Sequence, residues 1–314
     1  MAGIELYAPR HPRHRRTWTA AALVLAVVFI IAGQILGSIP GVMLGFLTPE
    51  GAENGWQGTA FMLASFAITA VVVVLWVTLF ERRGIATIGF NGSGPKRFLR
   101  GYAIGLAFLL AVVGIIWALG GYRIDAGGAF SSADVGAALL PILVLMVGFV
   151  IQGSTEEILT RGWLMQVIAS RHGLAWGVGL SSALFGLLHA ANIAPSPELL
   201  TGVLNVVLFG VFIGLYAARE GSLWGVCGWH AAWNWLLGLG FGLEVSGHVV
   251  DATPLIVDLG TQTTVPWWVT GAAFGPEGSA VTTVVLLIGV AVLIVKGRSR
   301  DFGVVADAAE APAA

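Results

Sequence analysis

Long apolar stretches, separated by short polar segments, make up most of the chain. A helix needs about 20 apolar residues to cross the hydrocarbon core of a bilayer, so each stretch predicts a membrane-spanning helix. Eight such stretches occur, at approximately 18–38, 60–80, 99–119, 135–153, 174–193, 199–218, 222–243 and 279–296. The pattern therefore predicts an all-α fold, a polytopic membrane helix bundle of about eight transmembrane helices.

Composition supports a membrane protein and excludes other classes. Of the 314 residues, 57% are hydrophobic and 11% are charged, whereas soluble domains carry about 25% charged residues. A soluble enzyme and a disordered chain are therefore excluded, and the lipid bilayer is the expected surrounding. The formal net charge of −1 leaves no basic excess for a phosphate backbone, so no nucleic-acid partner is expected.

The basic residues are distributed unevenly between the apolar stretches. Fifteen of the 16 Lys and Arg residues precede the first stretch or fall in every second loop, and only Arg123 falls on the other side. In this count Arg161 and Arg171 belong to the loop after the fourth stretch. Because loops rich in Lys and Arg stay in the cytoplasm, both termini are predicted to be cytoplasmic, which supports eight spans over seven or nine.

The chain is predicted to form one transmembrane domain with short flanking segments. Residues 1–17 are a cytoplasmic basic segment, 18–298 the transmembrane domain, and 299–314 a flexible cytoplasmic tail. The first apolar run lacks a clear small-residue cleavage site, so it is interpreted as an uncleaved span. Residues 244–278, with four acidic and no basic side chains, are predicted to be an external loop. The Ala-, Val- and Gly-rich composition indicates a bacterial protein of the plasma membrane.

Ionisable groups inside membrane spans are costly and are therefore candidates for function. Glu156 and Glu157 are adjacent carboxylates, and Arg161 follows Glu157 by four residues, so these two side chains share a helix face and can pair. Glu156 points about 100° away and is left free for chemistry as a general base. An ordinary alternative is a capped helix start whose glutamates favour its dipole and whose arginine faces the cytoplasm.

Polar residues also occur in two later spans. His189 follows Phe185 by four residues, and a single histidine of this kind is more often packed and hydrogen-bonded than catalytic. His230 and Asn234 share a helix face, where both can donate hydrogen bonds to one small target. The neighbouring tryptophans lie near the centre of that span, which favours a protein-lined cavity over an interfacial belt. Asn205 in the sixth span is interpreted as a helix-to-helix contact.

Taken together, these residues favour a hydrolase. A carboxylate, two imidazoles and an amide converging in a membrane cavity can activate a water molecule and stabilise an oxyanion. The order and spacing of Glu-Glu-x-x-x-Arg, Phe-x-x-x-His and His-x-x-x-Asn resemble the CPBP family of intramembrane proteases, which includes the type II CAAX prenyl proteases and the bacteriocin-processing (Abi) group. The resemblance covers roughly residues 135–243, the expected catalytic core.

The resemblance implies a role for each motif residue. Glu156 would be the general base that activates the attacking water, and His189 would hold or polarise that water. His230 and Asn234 would steady the oxyanion. The supporting residues would be Glu157, Arg161 and Phe185. The expected substrate is a membrane-embedded or membrane-associated peptide or protein.

The need for a metal is left open by the sequence. Family members are commonly called metalloproteases, and Glu156, His189 and His230 are candidate ligands for a divalent ion such as zinc. However, a carboxylate bound to zinc is poorly placed to act as the base, so a metal-independent glutamate mechanism is equally compatible with these residues. Cys227 is the single cysteine, which excludes a Cys-rich metal site.

Two other functions fit the same polar residues. A proton-coupled transporter would use the glutamate and the histidines as a proton relay, although the sequence has no sign of an inverted repeat. A non-catalytic membrane scaffold or immunity protein would use them only to hold helices together. If the protein is a protease, its physiological role could be peptide processing, bacteriocin self-immunity or regulated cleavage of another membrane protein, and the sequence leaves all three open.

Overall fold

The fold is a bundle of long helices, seen in a computed structural model that describes residues 3–297. The helices are α1 (Thr19–Met43), α2 (Gly55–Leu75), α3 (Gly94–Ala118), α4 (Val135–Glu157), α5 (Met165–His172), α6 (Leu174–Leu188), α7 (Pro197–Glu220), α8 (Trp224–Trp235), α9 (Trp267–Thr270) and α10 (Ala280–Gly297). Short π-helical segments continue α2, α4 and α8 at Trp76–Phe80, Ile158–Leu164 and Leu236–Gly240. The predicted tail, 299–314, lies outside the described residues.

Each of the eight predicted stretches contains a helix. Six helical segments are long and apolar enough to cross a membrane: Thr19–Met43, Gly55–Phe80, Gly94–Ala118, Val135–His172, Leu174–Ala191 and Pro197–Glu220. In the described part of the chain, α8 is shorter, and so is the apolar helical stretch Ala280–Lys296 of α10. The prediction of a helical, multi-pass membrane protein is confirmed, whereas the number of eight spans and the orientation of the termini stay predictions.

The fourth predicted stretch is longer than its apolar limits suggested. Helix α4, the π-helical segment and α5 form one continuous rod, Val135–His172, of 38 residues. The prediction that a cytoplasmic loop follows residue 153 is therefore wrong, and so is the assignment of Arg161 to that loop. Arg161 is completely buried, with 0% of its surface exposed. Its polar neighbours in the sequence, Glu156, Glu157 and Thr160, are buried as well.

One end of the bundle is formed by the N-terminal segment and the loops that carry the basic residues. Arg171 donates to the carbonyl of Thr17, Asn91 donates to the carbonyl of Gly221, and the backbone N–H of Arg15 donates to the carbonyl of Glu81. Arg100 and Glu220 form an ion pair at the same end, with 2.8 Å between Nη2 and Oε1. Arg219 donates to backbone carbonyls at the end of α10. This face of the molecule is called the basic end below.

The opposite end, called the acidic end, is formed by loops 44–54, 119–134, 189–196 and 241–279. Here β1 (Tyr122–Gly127) and β2 (Val257–Thr261) form a two-stranded antiparallel sheet with an irregularity between Ile124 and Ala126. Short 3-10 turns lie at Ala129–Ser131, His189–Ala191, Ala272–Phe274 and Pro276–Gly278. The all-α prediction did not include this sheet, because strands of five or six residues in a loop leave no long periodic pattern.

Small residues let α3 approach α8 closely. A Cβ atom on Gly101 would collide with the carbonyl oxygen of Gly225, and one on Gly228 would collide with the carbonyl oxygen of Phe98. Without a hydrophobic driving force between helices in lipid, such close backbone packing is a main source of association. The contact holds α8 against the body of the bundle and so fixes the position of the polar residues that α8 carries.

Candidate active site

A cavity of about 320 Å³ lies inside the bundle. The four residues predicted to be catalytic, Glu156, His189, His230 and Asn234, all line it, and so does the supporting residue Phe185. These residues lie in four helical elements: Glu156 in α4, Phe185 near the end of α6, His189 in the turn that follows α6, and His230 and Asn234 in α8. The fold therefore brings together residues that are up to 78 positions apart in the sequence, as the motif hypothesis requires.

The first motif lies where α4 becomes π-helical. Glu157 ends α4, and Arg161 lies in the following π-helical segment, Ile158–Leu164. Arg161 Nη1 lies 3.1 Å from Glu157 Oε1, and both side chains are completely buried. The predicted pairing of these residues is therefore seen in the structure. Insertions of this kind into α-helices are frequent at functional sites, because they turn side chains that a regular helix would present elsewhere.

Arg161 is also held by an aromatic ring. Its guanidinium carbon lies 4.4 Å from the centre of the Phe185 ring, and Nη1 donates to Thr160 Oγ1. The π face of an aromatic ring attracts a cation, and more strongly where water is absent. Phe185 also contacts His189 and His230 with its ring edge-to-face. The phenylalanine of the second motif thus packs against all three motifs.

His230 is held between the two glutamates. Its Nδ1 lies 2.8 Å from Glu157 Oε1, and its Nε2 lies 3.5 Å from Glu156 Oε2. Because the Glu157 carboxylate is only an acceptor, the hydrogen-bond network assigns the proton of this contact to Nδ1. Glu157 therefore orients the ring so that Nε2 faces Glu156 and the cavity.

Glu156 has one oxygen engaged and one left without a partner. Gln152 Nε2 donates to Glu156 Oε1 at 2.8 Å. Glu156 Oε2 is buried and makes no hydrogen bond to any described group. A buried carboxylate oxygen without a donor is costly, so such an atom calls for a functional explanation. The prediction that Glu156 stays free of Arg161 agrees with this geometry.

Gln152 is a site residue that the sequence reasoning missed. Besides donating to Glu156, its Oε1 accepts a hydrogen bond from Asn234 Nδ2 at 2.9 Å. Gln152 therefore bridges the first and third motifs across the cavity. Its spacing of four residues from Glu156 could have identified it, since side chains four apart meet on one helix face.

His189 lies at the boundary between α6 and the turn His189–Ala191. Its Nδ1 is 2.8 Å from the carbonyl oxygen of Phe185. A carbonyl only accepts, so the ring donates from Nδ1 and Nε2 is left as an acceptor. His189 is half-buried and lines the cavity, so it can contact a bound water or substrate.

Two other predictions about this region are tested by the contacts. Asn205 donates to the backbone carbonyls of Glu277 and Ser279 and accepts from Thr283, which agrees with its interpretation as a helix-to-helix contact. Trp233 lines the cavity and donates from Nε1 to Glu277, as expected for a protein-lined cavity. Glu277 also accepts from Ser246 at the mouth.

The described donors do not fit a three-ligand zinc site. Within residues 3–297, no group of three His, Cys, Asp or Glu side chains is arranged to hold a metal ion. Glu156 and His230 approach each other, and the other carboxylate next to His230, that of Glu157, is engaged through Oε1 by the ring and by Arg161.

Comparison with known proteins agrees with the motifs. A family model described as type II CAAX prenyl endopeptidase Rce1-like matches residues 138–236. This range contains all seven motif residues together with Gln152. No curated protein and no solved structure matches the chain. Residues 138–236 are therefore similar to the Rce1-like type II CAAX prenyl endopeptidases, and the resemblance inferred from the three motifs is confirmed over this range.

Proposed function

We propose that the protein is an intramembrane endopeptidase of the plasma membrane that hydrolyses a peptide bond with a water molecule activated by Glu156. The observation that carries the proposal is the carboxylate of Glu156, a residue that lines the cavity inside the bundle and keeps Oε2 without a hydrogen-bond donor. A general base must have an accepting atom within reach of the water that it deprotonates. Of the two motif carboxylates, Glu156 is the one that lines the cavity, and its Oε2 is the oxygen left without a donor.

The first step is proton transfer from water. Gln152 holds Oε1 of Glu156, so Oε2 is the atom that accepts the proton. His189 presents its free nitrogen from the α6 side of the same cavity and accepts a hydrogen bond from the other water hydrogen. The hydroxide equivalent then attacks the carbonyl carbon of the scissile peptide bond.

The second step places negative charge on the carbonyl oxygen, which needs donors. Asn234 Nδ2 carries two hydrogens and uses one on Gln152, so the second remains for the oxyanion. When the ring of His230 is protonated, its Nε2–H is the other donor, and Glu157 keeps it oriented. Preorganised donors of this kind typically contribute about 10²–10³-fold each to kcat.

The tetrahedral intermediate then collapses. The C–N bond breaks, and the proton that Glu156 took from water is given to the departing amine. One water is consumed, a carboxylic acid and an amine are formed, and Glu156 returns to its ionised form. Glu157, Arg161 and Phe185 take no proton in this sequence; they hold His230 in place.

Substitution of Glu156 tests the proposal directly. Glu156→Gln keeps the size of the side chain and removes the base, so cleavage of a membrane-anchored substrate should fall by about 10²–10⁴-fold. Expression and insertion into the membrane should be unchanged. The control is Glu50→Gln, which removes an exposed carboxylate outside the cavity and should leave cleavage intact. Full cleavage by Glu156→Gln would contradict the proposal.

The substrate can be found with the same variant. Membrane proteins and released peptides are compared by mass spectrometry between cells that carry the wild type and cells that carry Glu156→Gln. A protein that accumulates uncleaved only with the variant is the expected substrate. The termini of the released peptide then give the cleavage site.

A further inference from the structure

The two ends of the bundle differ in charge. Loops 44–54, 119–134, 189–196 and 241–279, which form the acidic end, contain eight Asp and Glu residues and a single basic residue, Arg123. The basic end carries the arginines of the N-terminal segment and of the loops near Arg83, Arg171 and Arg219. In membrane proteins the face rich in Lys and Arg is the cytoplasmic one. The acidic end is therefore expected on the non-cytoplasmic side.

The cavity is connected to one of these ends. Its lining includes Gly51 and Glu53 from loop 44–54, Asn192 from loop 189–196, and segment 245–250 from loop 241–279. All of these belong to the acidic end. In the part of the chain that the structure describes, no residue of the basic-end loops lines the cavity.

The basic end is closed beneath the site. The N-terminal segment packs there, and the hydroxyl of its buried Tyr7 donates to the carbonyl of Arg161. The Trp163 side chain, with 0% of its surface exposed, follows directly along the π-helical segment. Its Nε1 donates to the buried Glu81, which also accepts from Thr17. Packed and hydrogen-bonded groups therefore separate the first motif from the basic face.

We propose that the protease takes its substrate from the non-cytoplasmic side of the membrane, as a peptide segment that enters the cavity between the loops of the acidic end. This proposal rests on the proposed function and adds the side of access to it. The substrate class is a membrane-anchored peptide or protein whose scissile segment lies outside the cytoplasm. A peptide presented only in the cytoplasm would meet the closed basic end and would not reach Glu156.

Engineered cysteines test the side of access without any substrate. The natural Cys227 is buried, so it should not react with the thiol reagent in the folded protein. Val249→Cys places a thiol at the cavity mouth, where Val249 is 70% exposed. Met62→Cys and Phe66→Cys place it on the cavity wall. The matched control is Ala86→Cys, on an exposed turn of the basic end.

Each variant is treated with a charged, membrane-impermeant thiol reagent in spheroplasts and in inverted membrane vesicles. In spheroplasts the mouth and wall cysteines should react at least about tenfold faster than Ala86→Cys, because a charged reagent crosses the bilayer only at a high free-energy cost. In inverted vesicles the order should reverse. Protection of Cys227 until denaturation shows that each variant is folded.

Two outcomes overturn the proposal. If Met62→Cys and Phe66→Cys both react only from the cytoplasmic face, or from neither face, the cavity does not open to the outside. If Ala86→Cys reacts in spheroplasts, the basic end is not cytoplasmic. Because labelling is measured in a Glu156→Gln background as well, the side of access is decided whether or not the protein proves to be a protease.

Discussion

Two carboxylate–arginine clusters are buried in the same bundle, and they differ in how completely their polar atoms are paired. The basic-end cluster consists of Thr17, Glu81, Arg83 and Trp163. Glu81 Oε2 accepts two hydrogen bonds from Arg83, and Glu81 Oε1 accepts from Thr17 and Trp163. Both oxygens of this carboxylate are therefore fully used by the protein.

The cavity cluster consists of Glu156, Glu157, Arg161 and His230. Here Oε2 of each glutamate, and Nε and Nη2 of the arginine, are buried without a hydrogen-bond partner among the described residues. A buried ion pair gains little unless its remaining polar atoms are satisfied. The carboxylate of the basic-end cluster is fully paired and holds the fold together, whereas Glu156 in the cavity cluster keeps an unpaired oxygen that can accept a proton.

The difference lies in hydrogen-bond pairing, and it separates the cluster that we propose to be catalytic from a structural one. Both contain a buried carboxylate next to an arginine, and both include a residue of the rod Val135–His172, Trp163 in one cluster and Arg161 in the other. The residue types alone therefore do not separate them. What separates them is the unpaired oxygen of Glu156, a residue that lines the cavity.

The strongest test compares the same substitution, Glu to Gln, in the two clusters. Glu156→Gln should lower kcat by about 10²–10⁴-fold while leaving thermal stability close to that of the wild type. Glu81→Gln should leave kcat per folded molecule unchanged but destabilise the fold by about 3 kcal/mol, because Arg83 loses its charged partner. Cleavage rates and thermal unfolding of purified, detergent-solubilised protein measure both effects. If Glu81→Gln lost activity without losing stability, the basic-end cluster would not be purely structural, and the proposed difference between the two clusters would be wrong.

Substitution of Glu157 should lower both the stability of the fold and the catalytic rate. Glu157→Gln removes the charge that holds Arg161 and His230. We expect a stability loss of about 3 kcal/mol together with a fall of at least about tenfold in kcat. A double-mutant cycle with His230→Gln separates the effect on kcat from the effect on stability. If Glu157 acts by orienting the His230 ring, the effects of the two substitutions on kcat are not additive in the double variant. Additive effects of the two substitutions on kcat would show that Glu157 does not act through His230.

Gln152 should have a smaller effect, which falls on kcat more than on KM. Gln152→Ala removes the bridge between Glu156 and Asn234, so both side chains gain freedom. We expect kcat to fall by about 10-fold with little change in KM, since a positioning residue acts in the transition state. Gln152→Glu is the comparison variant, because it keeps the length but cannot donate to Glu156. Equal kcat in the wild type and Gln152→Ala would remove Gln152 from the site.

Asp258 lies outside both clusters and should show the smallest effect. Burial, and then the neighbouring Asp125 carboxylate, raise the pKa of Asp258 above its ordinary value. The carboxyl group therefore favours the folded state below its unfolded pKa, and this contribution is lost as the pH rises through the folded pKa. Asp258→Asn has no such dependence.

The melting temperature of Asp258→Asn, relative to the wild type, should accordingly rise with pH across the acidic range. The effect should be no more than about 0.5 kcal/mol, since the side chain is partly exposed. Melting curves at a series of pH values measure it, with Glu50→Gln as the exposed control. A difference that is independent of pH would show that the Asp258 carboxyl is not perturbed.

Particular residues show where sequence reasoning succeeded and where it failed. The pairing of Glu157 with Arg161 followed from a spacing of four on a helix, and the structure has it at 3.1 Å. The same reasoning placed Arg161 in a cytoplasmic loop, because it took a break in apolar character as the end of a span. The helix continues instead, since partners from other helices, such as Phe185, surround the charge.

Gln152 illustrates a different limit. A glutamine near the end of an apolar run has no distinctive pattern, and its importance depends on Asn234, which lies 82 residues further along the chain. Strands β1 and β2 are similar, because each is short and pairs with a segment more than 100 residues away. Such features depend on contacts between distant segments, which local periodicity does not contain.

The sequence by itself determined that the chain is a helical membrane protein and which seven residues form its motifs. Apolar length and helical spacing are local properties, so they can be read from neighbouring residues. Tertiary structure decided which carboxylate oxygens remain unpaired, which glutamine joins the site, and that the cavity opens at the acidic end while Tyr7 and Trp163 close the other. These properties arise from the packing of one helix against another, and packing depends on the whole bundle.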